Sequence, residues 1–365
     1  MWNKFQNLNF LLLFLTILIS LIGAAGLYSA AGGSYDPWAS RHLIRLLVFL
    51  SIAITIAFID IKLIYKYSYL IFFLSLILLI SVEVIGVFGK GATRWINLFG
   101  FSIQPSEFIK IAIIISLARF YHDLKFENIK KITNLFFPFL ILFLPFIFIV
   151  IQPDLGTALS IIILGSFILF AAGVRIWKFI IGSLTIIISI PLLLNMLKPY
   201  QKERVISFLN PESDILGGGY QLMQSKIALG SGGISGKGFL EGTQSYLQFL
   251  PEKQTDFIFT LIGEEFGFIG TMFIIFLFIL VISVCFYVSI KSNHIYGRLI
   301  SIGVGTNIFI YVIMNVSMVS GLMPVVGIPL PLISYGGSVM LSIMIAIGLV
   351  LNVELYSNVK KISDA

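Results

Sequence analysis

Residues 256–291 read DFIFTLIGEEFGFIGTMFIIFLFILVISVCFYVSIK, and after the acidic pair Glu264 and Glu265 no charged residue occurs until Lys291. The hydrocarbon core of a bilayer is about 30 Å thick, and a helix needs about 20 apolar residues to cross it. This run is longer than that, and it is not alone. Reading outward from it gives ten spans, at 9–30, 42–60, 67–87, 104–121, 134–151, 155–173, 177–197, 257–290, 299–320 and 331–352. Composition agrees, because the 365 residues are 58% hydrophobic and 11% charged, whereas a soluble domain carries about 25% charged residues. With a mean hydropathy of +1.02, the chain is expected to be an all-α polytopic membrane protein forming one domain over 1–365. A cytosolic enzyme, a disordered chain and a disulfide scaffold are excluded. The first span has Lys4 before it and Ala24, Ala25 and Gly26 near its end, like a secretory leader. Nine further spans make an uncleaved helix the better reading.

Arginine and lysine set the orientation. With the N-terminus inside, thirteen of the 24 basic residues fall in inner loops and tails, five fall near short outer loops, and six lie in one long outer segment where the charge rule is weak. Both termini are therefore expected in the cytoplasm. The basic residues are dispersed between apolar runs, which fits topology better than nucleic-acid binding. The single Cys285 and three scattered histidines, His42, His122 and His294, offer no disulfide and no recognisable zinc or haem site. The long segment, 198–256, separates the seventh and eighth spans and is rich in glycine. Loops of that length are uncommon unless functional, and the inner loops are too short to bind a nucleotide. Chemistry is expected on the outer side.

Ionisable groups beside a span are costly and so are functional candidates. Glu107 and Lys110, in QPSEFIKIA (104–112), share a helix face and can neutralise each other; a structural ion pair is the plain alternative. Asp154, in IQPDLGT, follows a proline at a helix start, where capping alone explains an aspartate. Asp256 also begins a span, so capping applies again, but it ends the long polar loop where a hydrophilic substrate would meet the membrane. Glu252 reads as a solvated carboxylate, while Glu264 and Glu265, about two turns on, face other helices or a cavity. The stretch GSGGISGKG (230–238) misses the nucleotide phosphate-loop pattern twice, with Ser231 at the first glycine position and Gly238 after Lys237. Either a hinge or a phosphate-approaching loop with Lys237 remains open. Arg41, Arg45, Arg94 and Arg204 fall at the outer boundary, where arginines ordinarily meet lipid headgroups, though several together could clamp a pyrophosphate.

Four long motifs carry more information than any single carboxylate: GATRWINLFGFSIQPSEFIKIA (91–112), QPDLGTAL (152–159), the whole of 204–270 from RVISFLNPESD to GEEFGFIG, and GLMPVVGIPLPLISYGGS (321–338). In them the chain resembles the SEDS family of peptidoglycan polymerases along most of its length, and PVVGIPLPLISYGG (324–337) is closer to the family's rod-shape branch than to its division branch. The resemblance implies a glycosyltransferase that polymerises lipid II into β-1,4 glycan at the outer face of the cytoplasmic (inner) membrane, for cell elongation. Carried over by motif, Asp256 of TDFIF would be catalytic, and Glu107, Lys110 and Asp154 would line the cavity and position substrate. Arg41, in SRHLI, matches a weaker pattern from which Ser40 and His42 depart. Undecaprenyl pyrophosphate leaves without protonation, so one carboxylate base for the attacking sugar hydroxyl suffices, in contrast to the carboxylate pair of a glycoside hydrolase. Arg41, Arg94, Arg204, Lys226 and Lys237 are the candidates for binding the pyrophosphate. No cofactor is certain; a divalent cation is one further group able to offset the leaving charge, and its ligands are unknown. The implied partners are lipid II and nascent glycan, a class B penicillin-binding transpeptidase, elongation-complex proteins and membrane lipids, with no nucleic acid. A lipid II flippase and a noncatalytic scaffold for the transpeptidase are the alternatives.

Overall fold

The computed structural model describes residues 8–89, 92–98, 101–196, 207–208, 218–246, 250 and 252–358. Long helices run over α1 (Phe10–Ala30), α2 (Ala39–Phe58), α3 (Ile61–Ile85), α4 (Pro105–Asp123), α5 (Phe136–Ile151), α6 (Leu155–Ala171) and α7 (Ile176–Met196). They continue with α8 (Gly218–Ser231) in the long loop, then α9 (Ile258–Lys291), α10 (Ile295–Val319) and α11 (Gly337–Leu355). All except α8 correspond to expected spans. Seven are long and apolar enough to cross a membrane on length and composition, so the chain is a multi-pass membrane protein. Helix α4 falls outside that set because Glu107, Lys110, Arg119 and Asp123 interrupt its hydropathy, and α6 has only 17 residues.

The helices start where local chemistry favours it. Asn9, Asp60, Asp154 and His294 each accept a backbone N–H of the following first turn, satisfying donors that a helix start leaves unpaired. Pro105 opens α4 with Glu107 in its first turn, the arrangement that backbone geometry and the helix dipole both favour. The last helix begins at Gly337, six residues later than expected from hydropathy. Residues 331–334 instead form a buried turn, apolar because it packs inside protein rather than against lipid. One element was not expected from hydropathy. Between α3 and α4 the chain forms a small antiparallel sheet, β1 (Val87–Gly89), β2 (Ala92–Leu98) and β3 (Phe101–Ile103), in which Val87 faces Trp95 and Asn97 faces Ser102.

Helices α10 and α11 form the centre, each 78% buried over its most apolar window, against 17% for the peripheral α3. Close approach is permitted by small residues: Gly348 of α11 lies against the Ala53 backbone of α2, and Asn352 donates to the carbonyls of Ile56, Ala57 and Ile59, tying off the end of α2. Asn9 donates to Glu354 at 2.8 Å, so the two ends of the described chain meet at one end of the bundle. The segments around Asp154 and Asp256 lie at the opposite end, because one helix length separates each from that junction.

The long loop is not a free hinge. Gly267 adopts φ +64, ψ −159 inside α9, a conformation open to glycine and closed to most side chains, and the helical ladder breaks there. The glycine-rich arm fills the break. Phe268 N–H donates to Gly233 O at 2.9 Å and Ile269 N–H to Ile234 O at 3.1 Å, while Lys237 and Gly238 amides donate to the freed carbonyls of Glu264 (3.1 Å) and Glu265 (3.0 Å). Buried backbone groups must be paired somewhere, and here the loop and the broken helix pair each other.

Candidate active site

Asp256 sits at the end of a turn over 252–257 that is clamped from several directions. Thr255 N–H donates to Glu252 O at 3.0 Å, Tyr335 N–H to Gln254 O at 2.9 Å, and the Ser334 hydroxyl to Thr255 O at 2.6 Å. Asn315, on α10, donates to both Asp256 O (2.9 Å) and Ile328 O (2.8 Å). The first-capping reading of Asp256 does not hold, since Phe257 occupies the N-cap of α9 and no side chain caps it. The aspartate is half-buried, and its Oδ2 lies toward Gly327, where an added Cβ would come within 3.4 Å of it. Gly327 has φ +70, a backbone conformation that favours glycine.

Gly327 also lines a small pocket of mixed polar and apolar character that Glu107, Lys110, Thr157, Ser160 and Tyr311 help to form. Glu107 and Lys110 are 3% and 2% exposed and pair at 2.9 Å. Their charges are satisfied further: Lys110 donates to the Tyr311 hydroxyl, which donates to Glu107 Oε2, and Ser342 donates to the same oxygen at 3.3 Å. Lys110 Nζ also lies 4.2 Å from the centre of the Tyr311 ring. The pair is thus both structural and pocket-lining. Asp154 is a genuine cap, accepting from Thr157 N–H at 3.2 Å and from its hydroxyl at 2.9 Å, and Gln104, another pocket residue, reaches it at 3.4 Å.

Tyr311 and Asn315 were not singled out from sequence. With Asn307 they form a polar stripe at every fourth residue of α10, all buried, and that spacing in an otherwise apolar span was the available signal.

The basic candidates do not form one cluster among the described residues. Arg94, on β2, donates to the carbonyls of Gln152 (3.4 Å) and Pro153 and lies 3.9 Å from Asp154 Oδ2, which commits it to fixing the start of α6. Lys237 pairs at 2.7 Å with fully buried Glu264, whose same oxygen accepts from Thr243 (3.2 Å) and the Gln244 amide (2.9 Å). The backbone amides at 237 and 238 are also spent on helix carbonyls, so the phosphate-cradling reading of 230–238 is not what this loop does. Lys226 is exposed on α8 beside Gly321, and Arg41 is exposed on α2. Arg204 lies outside the described residues. Arg45, expected at lipid headgroups, turns inward instead. Its guanidinium stacks 4.6 Å from the centre of the Tyr335 ring, and its Nη1 is buried without a hydrogen bond. No group of three His, Cys, Asp or Glu side chains suited to a metal occurs among the described residues.

Comparison with known proteins gives consistent matches. The family model described as "Cell cycle protein", FtsW/RodA/SpoVE, matches residues 6–359. The peptidoglycan glycosyltransferase MrdB of Escherichia coli K12 is 37% identical over 357 residues, covering 97% of this chain and 95% of the relative. A probable peptidoglycan glycosyltransferase FtsW of Trichlorobacter lovleyi is also 37% identical, over 96% and 94% of the two chains. Among solved structures, a chain from a study of how a peptidoglycan synthase complex coordinates polymerization and crosslinking superposes with a TM-score of 0.83 at 28% identity, covering 96% of this chain and 99% of that one. The chain therefore belongs to the FtsW/RodA/SpoVE family, the SEDS family that its motifs resemble.

Proposed function

We propose that this protein is an inverting peptidoglycan glycosyltransferase, in which Asp256 is the general base that takes the proton from the attacking sugar hydroxyl of lipid II. The names of the relatives support the activity. The observation that carries the residue assignment is the placement of Asp256, half-exposed on a turn held by Asn315, Ser334 and Tyr335, with its carboxylate next to Gly327, a residue that also lines the Glu107–Lys110 pocket. A base has to be positioned and reachable by substrate, and this carboxylate meets both conditions. Glu107, Lys110 and Asp154 act by keeping the neighbouring wall in place, with Tyr311 bridging Glu107 and Lys110 and Thr157 and Gln104 holding Asp154.

The reaction balances without a second carboxylate. The sugar oxygen forms the new bond to the anomeric carbon, the bond to undecaprenyl pyrophosphate breaks with both electrons leaving on phosphate oxygen, and the hydroxyl proton goes to Asp256. Direct displacement inverts the α-linked donor to a β-linkage. The pyrophosphate requires positive charge. Arg41, Lys226 and Arg204 remain candidates for supplying it, alone or with a divalent cation, whereas Arg94 and Lys237 already have carboxylate partners and would act indirectly.

We place the reaction at the outer face of the cytoplasmic membrane with both termini inside. The distribution of lysine and arginine supports this, as does the meeting of Asn9 with Glu354 at the end remote from Asp256. A class B penicillin-binding transpeptidase is the proposed partner, given the complex to which the structural neighbour belongs, and cell elongation is the proposed role on the form of residues 324–337. Purified Asp256→Asn should insert and fold as wild type does but make no glycan from lipid II. Near-normal polymerisation by that variant would overturn the assignment, and scrambling of labelled lipid II without any glycan would indicate a flippase.

A further inference from the structure

A second and larger cleft lies beside the Asp256 turn and is not used by the reaction just described. It opens between the end of α1, the 31–38 connection and residues 240–242, with a volume of about 530 Å³. Its walls include Ser29, Pro37, Trp38, Leu240, Lys253 and Glu265. The two neighbouring carboxylates of α9 have different fates here. Glu264 is fully buried and accepts from Lys237, Thr243 and Gln244. Glu265 is 2% exposed and accepts from the Ser29 hydroxyl through Oε1. The Leu240 amide lies near this carboxylate, yet Oε2 is buried without a hydrogen bond. A buried acceptor left unsatisfied carries its desolvation cost uncompensated and calls for a specific explanation. At the wall of an open cleft, a donor from outside the chain supplies one.

The rest of the lining narrows the chemistry of that donor. Trp38 offers an aromatic face, which attracts an ammonium group, and Pro37 and Leu240 give apolar walls that exclude competing water. Lys253 puts a cation on the same cleft. An anion, a cation and an aromatic wall together complement a group that carries an ammonium and a carboxylate close to one another. Lys253 also belongs to the 252–257 turn that carries Asp256, so whatever fills the cleft touches the element that positions the base.

We propose that this cleft binds the peptide carried by lipid II, with a peptide ammonium on Glu265 and a neighbouring carboxylate at Lys253. The inference rests on the glycosyltransferase reading, because that reading is what brings a peptide-bearing sugar to this face. A phospholipid headgroup is the weaker occupant, since it has no need to contact the turn of the catalytic base.

The test uses the full purified chain and two forms of fluorescent lipid II, one with the free peptide amine and one with that amine acetylated. Binding is read by anisotropy and glycan formation is read separately on gels. Acetylation should weaken binding to wild type by about tenfold, the loss expected for one charge-assisted contact. It should change binding to Glu265→Gln by less than about twofold, on the same scale. Equal binding of the two forms to wild type would overturn the proposal, as would a Glu265→Gln protein that keeps the preference. If that variant fails to fold, the wild-type comparison decides alone. Binding that follows the phosphatidylethanolamine content of nanodiscs but ignores acetylation would also overturn it, assigning the cleft to a phospholipid. Failure of the glycosyltransferase reading looks different: the binding preference persists and neither substrate yields glycan.

Discussion

Replacing Lys110 with methionine keeps most of the unbranched side chain and removes the charge, which tests the worth of the buried pair. At 2.9 Å and an effective dielectric of about 20, the attraction between the two charges is about 6 kcal/mol before desolvation is counted. What the mutant feels is different, namely a Glu107 carboxylate that is 3% exposed and has lost its cation. Such truncations cost about 3–5 kcal/mol. Tyr311 and Ser342 still donate to Glu107 Oε2, which puts the expected loss near the lower end, about 3 kcal/mol. Lys110→Met should therefore melt well below wild type in detergent, followed by intrinsic fluorescence, and make less glycan per folded molecule. The double variant Glu107→Gln with Lys110→Met removes both charges and should recover at least half of the lost stability. The reversed pair, Glu107→Lys with Lys110→Glu, should rescue more activity than either single variant but less than fully, because it sets a cation in the first turn of α4 against the helix dipole. A Lys110→Met protein with wild-type stability and polymerisation would show that the pair contributes neither, and the reasoning from burial would fail.

Two further outcomes follow from the backbone and from the end of the bundle where Asn9 meets Glu354. Gly267→Ala places a side chain at φ +64 and drives its Cβ into the Gly236 amide and the Ile234 carbonyl, for a loss of about 2–4 kcal/mol from left-handed strain plus overpacking; unchanged thermal stability and unchanged proteolysis of the 232–238 arm would count against the interlock. His294, at the turn between α9 and α10, has its pKa lowered to about 4, chiefly by burial. The folded state then resists a proton that the unfolded chain accepts near pH 6.5, so stability is full above that pH and declines as pH falls from about 6.5 to about 4. His294→Asn keeps a cap for Gly297 N–H and removes the titration, so its melting temperature should fall less across that window; an identical slope in the two proteins would exclude His294 as a source.

The membrane helices were legible because burial in lipid and burial in protein both demand uninterrupted apolar sequence, and boundaries moved by only a few residues except at the start of α3, six residues earlier than expected, and at α11. There the apolar run 331–334 belongs to a turn held by Thr255 and Leu330, partners that no local pattern announces. The small sheet before α4 was missed for a related reason, since its three- and seven-residue strands are too short to show a period against the glycines around them. Among the site residues, Glu107 with Lys110 was readable as a pair from spacing, and Asp154 as a cap from its neighbours. Asp256 was not separable from a cap until Phe257 was found in that position. The glycine-rich arm was the hardest, because its amides are used by carbonyls some thirty residues further on, and nothing distinguishes Gly267 from its neighbours Gly263 and Gly270 as the point where the helix breaks.

That break has a mechanical consequence. The bonds between 233–238 and 264–269 form a splice, so the arm cannot slide along α9 without stripping four backbone partners at once, at about 1 kcal/mol or more each. The glycine-rich arm and the first turns of α9 accordingly move as a single stiff lever. A push on the arm is delivered about two helical turns away, at the turn that holds Asp256, and no separate chain of side chains is needed to carry it there.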